Sequence, residues 1–188
     1  MNRRIGITGS PGTGKKSVGR IIAERLNYDF LDLNDLAIRG NAVIGRDERE
    51  FIVDPKKLRR LALKAIDKKD VVIVGHLLPS VFKKDEIDFI VVLRCSPWEL
   101  MNRYVSRGYS EKKAKENVGA EILDVCLVEA LKVFGKRKVY EIDTTGKTPE
   151  EVAEKIISLY NGEVKKEPIG IDWLTKVVEA GDLHKFFP

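Results

Sequence analysis

The stretch that most constrains this chain is Gly9-Ser10-Pro11-Gly12-Thr13-Gly14-Lys15-Lys16-Ser17. A short apolar run, Ile5-Gly6-Ile7-Thr8, precedes it, and an amphipathic run begins at Val18. Strand, glycine-rich turn and helix, in that order, are the setting of a phosphate-binding loop. Glycines let successive backbone N–H groups converge on a phosphate, and the helix N-terminus adds partial positive charge. Lys15 stands where it can reach the β- and γ-phosphates. An ordinary turn between strand and helix has no need of this spacing, so triphosphate binding is the expectation.

In the usual form of the loop, the residue after the lysine is Ser or Thr, whose hydroxyl helps to hold Mg²⁺. Here that residue is Lys16, and the hydroxyl comes one position later, at Ser17, which becomes the candidate metal ligand. Pro11 and Ser17 fit the version found in nucleoside monophosphate kinases, Gly-x-Pro-Gly-x-Gly-Lys-Gly-Thr.

At 188 residues the chain is long enough for one well-buried core and short for two. Its 43% hydrophobic and 34% charged residues describe a soluble globular protein. No apolar run approaches the ~18 residues needed to span a bilayer. The N-terminus leads straight into the first strand and leaves no room for a signal peptide, so a cytoplasmic location is expected. Cys95 and Cys126 make no disulfide framework. With His76 and His184 they are too few for a chelating cluster, and small buried apolar groups are the better reading. The net charge of +5 suits anionic ligands and permits contact with RNA. Abundant Lys, Glu and Arg with no Gln point to a heat-adapted protein, which a mesophilic thermal midpoint would contradict.

Arg3–Thr8 reads as a buried parallel strand, and Ser17–Leu26 as a helix with Val18, Ile21, Ile22 and Leu26 on one face. Tyr28–Asp32, Asp70–His76, Phe89–Leu93 and Val139–Ile142 are four further candidate strands. Between them, Asn34–Phe51 loses periodicity and carries Asp35, Arg39, Arg46, Asp47, Glu48, Arg49 and Glu50. It is either a solvated loop or, in a kinase of this class, the acceptor-binding segment. Asp54-Pro55, Ser96-Pro97-Trp98-Glu99 and Thr148-Pro149-Glu150-Glu151 open helices, and Ser110 caps a long one reaching Val125. Ile171-Asp172-Trp173-Leu174 predicts that the tail packs on the body. Strands separated by helices imply a parallel sheet. The expected fold is α/β, a P-loop NTPase three-layer sandwich with acceptor-binding and lid insertions.

Arg103 and Arg107 lie one helical turn apart before a Gly-Tyr break. They form either a solvated basic face or part of a hinged lid, whose arginine neutralises charge on a transferring phosphoryl group. Arg107 is the candidate for that role.

Asp35-Leu36-Ala37, His76 at the end of the third strand, and Arg107-Gly108-Tyr109-Ser110-Glu111-Lys112-Lys113 resemble the adenylate kinase isoenzyme six family. Glu121-Ile122 and Glu129-Ala130 extend the resemblance, which covers residues 3 to 160. It implies a small kinase/ATPase that uses ATP and Mg²⁺ and acts in late maturation of the small ribosomal subunit and its pre-16S rRNA. The implied partners are a nucleoside monophosphate, the pre-ribosomal subunit and a small-subunit ribosomal protein (the one eukaryotes number fourteen). By the same resemblance, Gly12, Thr13, Gly14, Lys15, Lys16 and Ser17 would contact ATP. Residues 28–51, with Asp35 and Arg39, would bind the monophosphate. Residues 106–116 would form the lid, with Arg107 contacting ATP, and residues 144–147 would pack near adenine. Residues 1–160 would form the kinase domain and 161–188 a docked tail.

Two departures stand out. Lys16 replaces the hydroxyl, and Val74 stands where the family commonly has an acidic residue two positions before the histidine. Asp32 or Asp35 could substitute. His76 has two readings, a packed strand-terminal group or one that orients the attacking water or acceptor. With Lys15 and Arg107 it completes the candidate catalytic set, whose reaction is either phosphoryl transfer to a monophosphate or mainly ATP hydrolysis.

Overall fold

The computed structural model describes residues 3–47 and 50–187, with Glu50 described by its backbone alone; Glu48 and Arg49 of the charged insertion lie outside the described residues. Five short runs, most of them rich in β-branched residues, make one parallel sheet: β1 (Arg4–Thr8), β2 (Asp29–Asp32), β5 (Val71–Val74), β6 (Phe89–Arg94) and β7 (Val139–Asp143). Their order across the sheet is β2-β5-β1-β6-β7, which puts the strand before the phosphate loop at the centre.

Side chains alternate between the two faces, as strand geometry requires. Ile5, Ile7, Val72, Val74, Val91 and Leu93 pack on one side against α1 (Lys15–Leu26) and α8 (Pro149–Tyr160). Val71, Ile73, Ile90 and Val92 pack on the other against α3 (Pro55–Ala65), α4 (Leu78–Val81) and α7 (Val125–Phe134). A third cluster joins α5 (Pro97–Ser106) and α6 (Glu111–Ile122) to the tail helices α9 (Trp173–Glu179) and α10 (Leu183–Phe186), through Leu100, Tyr104, Trp173, Val177 and Phe186. The result is the three-layer α/β sandwich expected from the sequence.

Helix starts follow local chemistry. The Asp54 carboxylate accepts from the N–H groups of Lys56 and Lys57, with Pro55 in the first turn. Thr148 and Glu151 form a reciprocal capping box. At Ser96-Pro97-Trp98-Glu99 the helix opens as expected, but without a reciprocal box. Ser96 makes no side-chain cap, and Glu99 instead accepts from Arg103 and from the Gly146 N–H.

Two expectations are corrected. The described residues of the charged segment after β2 form α2 (Leu33–Arg39) and an antiparallel pair of strands, β3 (Val43–Asp47) and β4 (Glu50–Val53). The long helix predicted from Ser110 to Val125 is two helices, broken at Asp124, whose φ is +57°. The break has a cause in the core: Arg94 donates to both the Glu121 carbonyl and the Asp124 carboxylate, which turns the chain about the guanidinium.

Candidate active site

The loop after β1 runs close against the neighbouring strand. Gly9 has φ +135°, and a Cβ there would lie 2.3 Å from the Leu93 carbonyl oxygen, so no side chain fits. Gly14 has φ +94° with open space on its Cβ side, which leaves room for an anion at the start of α1.

The far side of the loop is anchored by polar contacts. Ser10 Oγ donates to Glu121 Oε2 at 2.6 Å, Tyr104 Oη donates to the Pro11 carbonyl, and Arg103 Nη1 donates to the Gly12 carbonyl at 2.8 Å. Glu121 is itself buried and accepts from Arg94 Nε at 2.6 Å, while Arg94 also donates to Glu141 and Asp124. Burial opposes the Arg94 charge, but Glu121, Asp124 and Glu141 more than offset it, and the Arg94 pKa lies above its ordinary value.

Arg103 is thus engaged rather than solvated: its guanidinium ties α5 to the loop and pairs with Glu99 on the same helix. Arg107 differs. It is exposed at the C-cap of α5, just before Gly108 (φ +69°) turns the chain into α6.

An open cavity of about 370 Å³ lies at the carboxyl ends of β1, β2 and β5, where open α/β sheets hold ligands. The phosphate loop forms one wall with Gly12, Gly14, Lys15, Lys16 and Ser17. Asp32, Asp35, Ile38 and Phe51 form the wall opposite, Gly75 and His76 line the end of β5, and Arg107 and Tyr109 complete the rim.

The structure thus brings Lys15, Lys16, Ser17, Asp35, His76 and Arg107 around one space. Two predicted residues lie apart from it. Thr13 is buried, and its hydroxyl donates to the Ser10 carbonyl, shaping the loop. Arg39 borders a smaller adjoining depression, which Arg20, Phe30, Asp32 and Asp35 also line. Lys15 Nζ donates to the carbonyls of Gly9 and Ser10, both at 2.8 Å, so a phosphate would compete with the loop for it. Across the mouth, Lys113 Nζ pairs with Asp47 Oδ2 at 2.7 Å, joining α6 to the β3–β4 pair.

Among the described residues, the donors do not fit a divalent cation held by the chain. Asp32 and Asp35 are the carboxylates of the cavity, and Lys16 Nζ lies 3.1 Å and 2.8 Å from them. The hydrogen bond to Asp35 is the largest influence raising the Lys16 pKa above its ordinary value, with Asp32 adding to it against partial burial. Among the described residues, no group of three or more His, Cys, Asp or Glu could hold a metal. An ammonium already occupies the cation's place.

Comparison with known proteins agrees with this geometry. The AAA domain family matches residues 5–124. A protein of Pyrococcus furiosus named "Putative adenylate kinase" is 42% identical over 179 residues, covering 93% of each chain. The protein of the same name in Thermococcus onnurineus is 41% identical over 170 residues, covering 90% of each. The chain belongs to the adenylate kinase-like P-loop family. Shikimate kinase from Aquifex aeolicus shares the fold of this family member at 20% identity, with a TM-score of 0.55 over 85% of this chain and 97% of that one.

Several residues that shape this family member's site have no assigned role in the sequence patterns above. Phe51 ends the charged segment by composition, yet Phe51-Ile52-Val53 before Asp54-Pro55 is a strand-like run and belongs to β4. Arg46 lies over the Phe51 ring, 5.7 Å from its centroid. Ser10, Arg94 and Tyr104 carry no local signal, because their partners are far away in sequence.

Proposed function

We propose that the chain is a phosphotransferase of the nucleoside monophosphate kinase type, converting ATP and AMP to two ADP, with some breadth of acceptor. The observation that carries this reading is the two-sided cavity. A phosphate loop with Lys15 faces a second wall of Asp35, Ile38 and Phe51, with Arg107 and His76 at its ends. Pure triphosphate binding has no use for the second wall, whereas transfer needs donor and acceptor in one space. The names of the Pyrococcus and Thermococcus relatives support the same reading.

On this reading residues 28–51 form the acceptor side and residues 106–116 the lid. Lys15 and Arg107 neutralise charge developing on the transferring phosphoryl group. His76, half-buried at the end of β5, orients the acceptor. Mg–ATP is the substrate form of the donor.

The test is ADP formation from Mg–ATP, alone and with AMP, CMP or dCMP. Acceptor-dependent ADP is expected, and turnover indifferent to every monophosphate would overturn the proposal. In the second reading, His76 orients water, and hydrolysis serves a ribosomal assembly step with the small-subunit ribosomal protein as partner. The placement of His76 beside the loop favours a hydrolytic competence. Co-purification with ribosomal components in high salt is that reading's own test.

A further inference from the structure

Lys16 is the second residue of α1, beside Lys15, with its side chain about half exposed and lining the cavity. Its position belongs to a metal-binding hydroxyl in the usual phosphate loop. Its ammonium bridges Asp35 Oδ2 at 2.8 Å and Asp32 Oδ2 at 3.1 Å. The other Asp32 oxygen caps α2, accepting from the N–H groups of Asn34 and Asp35. Both Asp32 oxygens are therefore committed, and the side chain is only 9% exposed. An ammonium carries three N–H donors and no acceptor, so two bonds to carboxylates leave a third donor for a ligand in the cavity.

We propose that Lys16 is a tethered cation that takes the place of a chain-held divalent ion, linking the Asp32–Asp35 pair to the phosphates of a bound triphosphate. A divalent ion in such sites commonly bridges one or two protein carboxylates and substrate phosphates. Lys16 spans the same two partners with a single positive charge, already positioned, and needs no ion to be recruited. In consequence the protein's affinity for triphosphate depends little on free divalent cation. The carboxylates become a cation site only when Lys16 is removed. The triphosphate half of this inference rests on the nucleotide-binding reading above, while the carboxylate half stands on the free protein.

The experiment compares wild type with Lys16→Thr, an exposed position whose replacement leaves the core untouched. Mn²⁺ alone is titrated into each nucleotide-free protein and followed by its electron paramagnetic resonance signal. Wild type should leave Mn²⁺ free, and Lys16→Thr should bind it at least about tenfold more tightly. Adding Asp35→Asn to Lys16→Thr should abolish that gain. Equal Mn²⁺ affinity of wild type and Lys16→Thr would overturn the proposal.

ATP binding is then measured calorimetrically in EDTA and in excess Mg²⁺. The wild-type affinity should change by no more than about threefold, and that of Lys16→Thr by about tenfold or more. An equal, large Mg²⁺ dependence in both proteins would also overturn it. If neither protein bound ATP in either buffer, the nucleotide reading would fail, and the Mn²⁺ comparison would still decide what Lys16 does.

Discussion

On the proposed reading, Arg107 is the side chain that separates turnover from binding. Its guanidinium comes near the phosphate loop: a Cβ built on Gly12 would lie 3.7 Å from Arg107 Nη1. Arg103, one turn earlier, is engaged by Glu99 and the Gly12 carbonyl. Arg107→Ala should lower kcat by about 10²–10³ with a smaller effect on KM, as loss of one preorganised charge donor does. Steady-state kinetics check this, and an unchanged kcat would remove Arg107 from the transition state. Cys95 makes a different kind of prediction. It is fully buried, and burial pushes its thiol from 9.0 up to about 11. The folded chain therefore keeps a proton that the unfolded chain releases between those values. This contribution is intact below pH 9 and is lost as the pH rises through 11, at no more than about 1.4 kcal/mol per pH unit. Thermal midpoints taken from pH 8.5 to 11 should fall less steeply for Cys95→Ala than for wild type. Parallel curves would show that the thiol does not titrate there.

Among the elements, the α6–α7 break and the phosphate loop are one construction. Asp124 leaves the helix to meet Arg94, and Glu121, at the end of α6, holds Arg94 on one oxygen and Ser10 of the loop on the other. The loop's shape thus depends on an ion cluster on its inner side as well as on its glycines. Glu121→Ala removes one buried partner of an arginine that is 1% exposed and should destabilise the fold by about 3–5 kcal/mol. The denaturant midpoint is the measure, and a loss below about 1 kcal/mol would mean that Asp124 and Glu141 suffice to satisfy Arg94. The β3–β4 pair shows what periodicity misses. Charged residues dominate its sequence, whereas its folding role belongs to Phe51, which lines the cavity, and to Asp47, which reaches Lys113 on α6.

Across the whole molecule, the tail closes the third core cluster rather than trailing from it. Trp173, Val177 and Phe186 are buried against α5 and α6, and Trp98 Nε1 donates to Asp182 Oδ2 at 2.6 Å. The N–H groups of Gly170 and Ile171 donate to Glu141, which ties the tail's approach to the Arg94 cluster. Burying three such side chains contributes roughly 5–8 kcal/mol as an upper figure. A chain ending at Asn161 should therefore unfold at a much lower denaturant concentration than the full chain. An equal midpoint would show that the tail merely rests on the surface. Because α5 carries Arg103 and is capped by Arg107, the same cluster supports the rim of the cavity.

The sequence by itself determined the sheet strands, the phosphate loop and most helix starts. Each of these is a local matter: a run of β-branched residues, a glycine spacing, a cap three residues from its partner. It also singled out Lys16 as a departure, and it left open whether Asp32 or Asp35 would hold a metal in compensation. Only the tertiary structure decided that both carboxylates meet Lys16, that Glu121 and Arg94 brace the loop from 111 and 84 positions away from Ser10 in the chain, and that Thr13 and Arg39 stand outside the cavity. Charge and hydrogen-bond partners are chosen in three dimensions, among groups with no fixed spacing along the chain. The phosphate loop could therefore be read from the sequence, while the cation that stands beside it could not.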